Sequence, residues 1–121
     1  MSTYKRGQWG EWLAGAWYVL QGYRILARRY KTKVGEIDLV AKRWNTLVFI
    51  EVKSHQTEES SLNSVTPLQQ DRIQRAAQMF VAKNEKWQEL DFRFDVAIVN
   101  WKLRPFPARF KVRCIKNAFI G

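Results

Sequence analysis

Acids and a lysine sit at alternate positions inside two otherwise apolar runs near the middle of the chain, Gly35-Glu36-Ile37-Asp38-Leu39-Val40 and Leu47-Val48-Phe49-Ile50-Glu51-Val52-Lys53. A period of two predicts strands, and the short break Arg43-Trp44-Asn45-Thr46 predicts a hairpin. Before it the period is helical. Trp9, Trp12, Leu13, Ala16, Trp17 and Leu20 form one stripe, so a helix is expected from about Gln8 to Gln21, stopped by Gly22 and turning its tryptophans into the core. Residues 1–8 read as a frayed end. Tyr23 to Tyr30 reads as a strand decorated by Arg24, Arg28 and Arg29. Residues 54–67 are polar and aperiodic, which predicts a long mobile loop. Thr66-Pro67 is a cap followed by a first-turn proline, and Leu68, Ile73, Ala76, Ala77, Phe80 and Val81 carry a helix on to about Asn84. Asp91 to Asn100 alternates as a strand, Pro105 and Pro107 interrupt, and Phe110, Val112 and Cys114 alternate in a last strand. Phe119 and Ile120 are expected to return to the core. The order α-β-β-β-α-β-β predicts one α/β domain over residues 1–121, a mixed sheet with a helix on each face.

The alternation in the hairpin is chemically unusual, because acids and a lysine occupy its polar positions. A two-residue loop at Trp44-Asn45 pairs Arg43 with Thr46. Counting outward puts Asp38 opposite Glu51 and Glu36 opposite Lys53, with Ile37, Leu39, Val48, Ile50 and Val52 on the other face. Directly facing residues in an antiparallel pair have Cβ atoms about 4.5–5.5 Å apart. Two carboxylates at that spacing repel unless a cation lies between them or one is protonated.

Composition narrows the setting. An apolar fraction of 46% with 14% aromatics is enough for a core. A net charge of +10 favours an anionic partner, with nucleic acid first among them. The single cysteine, Cys114, excludes an intramolecular disulfide and a cysteine-based zinc site, and reads as a small buried hydrophobe. No signal peptide and no bilayer-spanning run is visible, so a cytoplasmic protein without membrane contact is expected.

Clustered carboxylates beside a lysine suit a hard divalent cation. Mg²⁺ (or Mn²⁺) typically binds through one or two carboxylates and keeps several waters. On this reading Asp38 and Glu51 are metal ligands, the Val52 carbonyl is a third, and Lys53 positions water or handles a proton. A hairpin with an ordinary wet face would explain the alternation alone. The apposed acids, the basic surroundings and the flanking loop favour the metal site.

The two runs together resemble the signature of the YraN-like family, small uncharacterised bacterial proteins of the restriction-endonuclease-like superfamily, close to Holliday-junction resolvases. Gly10-Glu11 with Ala14, Gly22-Tyr23, and Arg93-Phe94-Asp95-Val96 extend the likeness over nearly the whole chain. The resemblance implies a three-layer domain with a central mixed β-sheet flanked by helices. It implies a D…ExK nuclease site carried by Asp38, Glu51 and Lys53, with Glu11 approaching from the first helix and Gln69 at the site helix. Asp95 matches a family position as either a site acid or a buried acid held by Arg93. The sequence departs from the pattern twice: His55 and Gln69 stand where the family usually has arginine and lysine. Arg28, Lys31, Lys33, His55 and Arg72 are the expected nucleic-acid contacts. The expected partner is DNA, with a homodimer suggested by analogy to the resolvases. Three functions fit: a Mg²⁺-dependent nuclease, possibly on branched substrates; an inactive nucleic-acid-binding module; and an interaction protein that docks through its tryptophan helix.

Overall fold

The computed structural model describes residues 3–102 and 109–118. The expectations for Pro105, Pro107, Phe119 and Ile120 lie outside those residues.

The elements are α1 (Thr3–Leu20), β1 (Arg24–Lys31), β2 (Glu36–Arg43), β3 (Thr46–Ser54), α2 (Glu58–Ser64), α3 (Pro67–Ala82), α4 (Glu85–Gln88), β4 (Asp91–Lys102) and β5 (Arg109–Ile115). The five strands form one sheet in the order β1-β2-β3-β4-β5. β3 and β4 run parallel, joined through α2, α3 and α4, and the other neighbours are antiparallel. The three layers of a restriction-endonuclease-like domain result. α1 packs on one face over Leu39, Ala41, Val48, Ile50, Ala97 and Val99. On the other face α3 supplies Ile73, Ala76 and Ala77, which pack with Val40, Leu47, Phe49, Val96 and Ile98.

The helix ends follow the expected chemistry. Thr66 caps α3 by accepting the Gln69 N–H, and Pro67 opens the helix. At the end of α1, Gly22 takes a φ of 93° and the Tyr23 N–H reaches back to the Tyr18 carbonyl at 3.0 Å, closing a Schellman-type turn.

Three expectations change, and the ordinary wet face weighed against the metal site is absent. α1 begins at Thr3, so most of the stretch expected to fray is helical. The loop of residues 54–67 contains α2, capped by Thr57 and anchored by the buried Ser61, whose hydroxyl donates to the Gln56 side-chain oxygen. The central hairpin has no wet face along most of its length, since Val40, Leu47 and Phe49 are as buried as Leu39, Val48 and Ile50. Covering both faces is what a mid-sheet position demands. The tryptophan stripe of α1 points outward: Trp9 is 45% exposed and Trp12 is 66% exposed. The helix buries its small-residue side instead, through Gly10, Ala14, Gly15 and Tyr18. Small side chains let the helix axis come close to the sheet, and Tyr18 fills the remaining space edge-on to Trp17 and Tyr23.

Candidate functional site

The β2–β3 ladder starts with Arg43 opposite Thr46 and keeps register to Leu39 opposite Ile50. The next facing positions are Asp38 and Glu51. Regular pairing ends there, and Asp38 Oδ2 instead accepts the Val52 backbone N–H at 2.8 Å. The carboxyls of Asp38 and Glu51 lie close enough that the charge on one bears on the ionisation of the other. Burial pushes both above the usual carboxylate range. Asp38 rises to about 6, with the Val52 N–H opposing the shift and Glu11 adding to it. Glu51 rises to about 8, from burial and then the Asp38 charge, with Lys53 pulling the other way. Lys53 Nζ lies 3.8 Å from Glu51 Oε1, and the two side chains are 16% and 12% exposed. Lys53 therefore pairs with Glu51, whereas Glu36 faces Lys31 across the β1–β2 ladder rather than Lys53.

Glu11 reaches this end of the sheet because Gly10 lets α1 settle on β3. A Cβ on Gly10 would run into Ser54 Oγ and come within 3.7 Å of Val52 Cγ1. The Glu11 carboxylate accepts from Arg29 Nε at 2.8 Å. Arg29 adopts a φ of 50° inside β1, a left-handed conformation that costs an arginine about 1–2 kcal/mol. Arg29 is the site-proximal residue that sequence reasoning passed over. The only signal was its adjacency to Arg28, which breaks strict alternation in the strand.

On the α3 side, Gly35 does comparable work. A Cβ there would lie 2.6 Å from the Arg72 carbonyl oxygen, so the entry to β2 touches the α3 backbone directly. That contact closes a cavity of about 470 Å³ in which Asp38 and Glu51 meet Thr66, Leu68, Gln69 and Arg72. A groove of about 770 Å³ continues from it through the shared residues Gly35, Glu36, Leu68 and Arg72, and is lined further out by Lys31, Lys33 and Arg75. Thus Asp38, Glu51, Gln69 and Arg72 share one cavity, with Lys31 and Lys33 in its extension and Lys53 paired to Glu51. Val52 joins through its amide. Arg28 and His55 lie on the α1 side instead. The Arg28 guanidinium sits 5.3 Å from the Trp12 ring centre, and the His55 ring lies 4.2 Å from that of Trp101.

Asp95 is fully buried and serves as a structural hub. It accepts from Arg93 Nε at 2.8 Å and Nη2 at 2.9 Å, from the Tyr18 hydroxyl at 2.8 Å and from the Asn117 N–H at 3.0 Å. Cys114 Sγ adjoins the same cluster, 2.9 Å from Tyr18 Oη, and burial pushes its thiol up to about 11.

Among the described residues, no three His, Cys, Asp or Glu side chains form a metal cage, and no helix is long and apolar enough to cross a membrane. The layers and the acid pair at the end of β2 and β3 define a protein of restriction-endonuclease-like architecture. Residues 10–99 match the model of a family described as "Uncharacterised protein family UPF0102", and the chain belongs to that family. It is 49% identical over 94 residues to a UPF0102 protein of Maricaulis maris, covering 78% of this chain and 74% of that one. A UPF0102 protein of Mesorhizobium japonicum is 40% identical over 120 residues, covering 98% of this chain and 90% of the relative.

Proposed function

We propose that this protein is a Mg²⁺-dependent nuclease-like protein that hydrolyses phosphodiester bonds in DNA. The observation that carries the reading is the buried Asp38–Glu51 pair, beside Lys53, at the head of a cation-lined groove.

The donor set suits the metal. It offers two hard carboxylates with no thiolate or imidazole, and both acids are held above their usual range, first by burial and then by neighbouring carboxylates, Glu11 for Asp38 and Asp38 for Glu51. Asp38 and Glu51 would hold the ion, with the Val52 carbonyl as a third donor. When bound, Mg²⁺ lowers the pKa of a coordinated water and offsets charge developing at phosphorus. The chain's own groups do the rest. Lys31, Lys33 and Arg72 bind backbone phosphates. Gln69 donates its amide to a phosphate oxygen or to water. Lys53 opposes protonation of Glu51 and orients water toward the phosphorus. Glu11 holds Arg29 at the rim of the site.

One observation favours a second reading, a catalytically inactive nucleic-acid-binding module. Gln69 supplies no charge in the cavity, and His55 lies against Trp101 away from it, the two rings tilted by 53°. The deciding experiment is cleavage of linear, flapped and four-way DNA in Mg²⁺ or Mn²⁺, with Lys53→Ala as control. Cleavage lost in the variant supports the nuclease. Binding without cleavage under every condition supports the module.

A further inference from the structure

Resting on the proposed function, the geometry points to a substrate class: the site takes unpaired nucleotides, a single strand or the single-stranded arm of a larger structure, in preference to continuous duplex. Three observations carry this.

The first is depth. The Glu51 side chain is 12% exposed, and the acid pair is reached through a cavity of about 470 Å³ walled by α3 on one side and the start of β2 on the other. The wall cannot relax easily, because Gly35 already touches the Arg72 backbone. A volume of that size matches one small organic group, within the range of about 300–1,000 Å³ for ligand pockets. A duplex presents its phosphates on a stiff cylinder with a second strand attached, and so brings more bulk to the recess between α3 and β2 than one strand does. A single strand can bend its backbone into the cavity.

The second is the form of the positive charge. Lys31, Lys33, Arg72 and Arg75 outnumber Glu36 and Asp71 in one groove that leads out of the cavity, with Asp71 paired to Arg75 at 2.9 Å, and a row of cations suits a single tracked backbone. Nonspecific single-strand binders combine such a groove with aromatic side chains on which bases stack; an exposed aliphatic side chain covers a base face by apolar contact alone.

The third is Leu68. It lines both the cavity and the groove and is 61% exposed, an apolar side chain at the junction of two polar spaces. Duplex DNA would offer it sugar and phosphate. An unpaired nucleotide offers it the face of a base, which shields apolar surface on both sides.

The test measures binding rather than turnover. A labelled single-stranded DNA 20-mer, a blunt duplex of the same sequence, and that duplex with a single-stranded overhang are titrated with the full chain at low and physiological salt. Each titration is run with EDTA and again with Mg²⁺. The single strand and the overhang should bind at least tenfold more tightly than the blunt duplex, and Leu68→Asp should remove most of that difference while leaving the thermal melt unchanged. Equal or tighter binding of the blunt duplex overturns the substrate class and leaves the nuclease reading standing. Failure to bind any of the three, even at low salt, overturns both. An unfolded Leu68→Asp variant would be replaced by Leu68→Ser, read by the same ratio.

Discussion

At the residue scale, the acid pair makes a prediction about stability that needs no substrate. Asp38 rises from 3.8 to about 6 and Glu51 from 4.5 to about 8 on folding. Folded pKa values above the unfolded ones mean that the folded state binds protons more tightly. The favourable contribution is therefore complete below about pH 4 and is lost as pH climbs toward 8, by at most about 1.4 kcal/mol per pH unit for each proton. Urea denaturation in EDTA should show stability declining from pH 5 to pH 8. Glu51→Gln should flatten that decline, and Mg²⁺ should oppose it in the wild type only. If wild type and variant track each other, Glu51 is not the group whose protonation stabilises the fold. Lys53→Ala should lower the cleavage rate by at least about 100-fold, the lower range for a positioned proton-handling group, with little change in DNA affinity measured by titration. This pair was legible in the sequence because period two and a short loop leave few registers, and the ladder from Arg43–Thr46 to Leu39–Ile50 kept the expected one. The Arg29–Glu11 bond was not legible. It depends on a left-handed residue inside a strand, and an arginine gives no local sign of that conformation.

Whole elements were read well where one interaction decides them and poorly where two compete. Thr66-Pro67 started α3 as expected because a cap and a fixed φ act locally. The stripe on α1 misled because both sides of the helix are apolar. Size settled the matter: Gly10, Ala14 and Gly15 allow close approach to the sheet, whereas Trp9 and Trp12 on that side would hold the helix away. It follows that Trp12→Ser should change stability by less than about 1 kcal/mol, whereas truncating a core tryptophan costs about 3–5 kcal/mol. Chemical denaturation distinguishes the two values, and the larger one would put Trp12 back in the core. Gly35 makes the opposite prediction. Its added Cβ would meet the Arg72 carbonyl oxygen at 2.6 Å and the carbonyl carbon at 2.9 Å, both backbone atoms. Gly35→Ala should therefore cost about 1–3 kcal/mol of stability, as overpacking does. It should also weaken DNA binding, because α3 carries Gln69 and Arg72 away from the acids. Denaturation and binding measured on one variant test both halves.

Over the whole molecule, charge and topology divide the work between the two faces of the sheet. The net charge of +10 favours an anionic partner but cannot say where such a partner would lie. Folding answered by separating cations that looked equivalent along the chain. Lys31, Lys33, Arg72 and Arg75 gather in the groove beside the acids, while Arg28 covers Trp12 on the α1 side. That separation gives a numerical expectation. A single strand that contacts four cations should show a log–log salt slope near −3, since each neutralised phosphate contributes about −0.7. Replacing Lys31 and Lys33 together by alanine should reduce the magnitude of the slope by about 1.4 and weaken binding similarly for all sequences. Arg28→Ala should leave the slope unchanged, because its guanidinium is committed to an indole ring rather than to the groove. Fluorescence anisotropy across a salt series measures all three proteins. A slope that falls as much for Arg28→Ala as for a groove cation would mean that the net charge attracts DNA without the groove directing it.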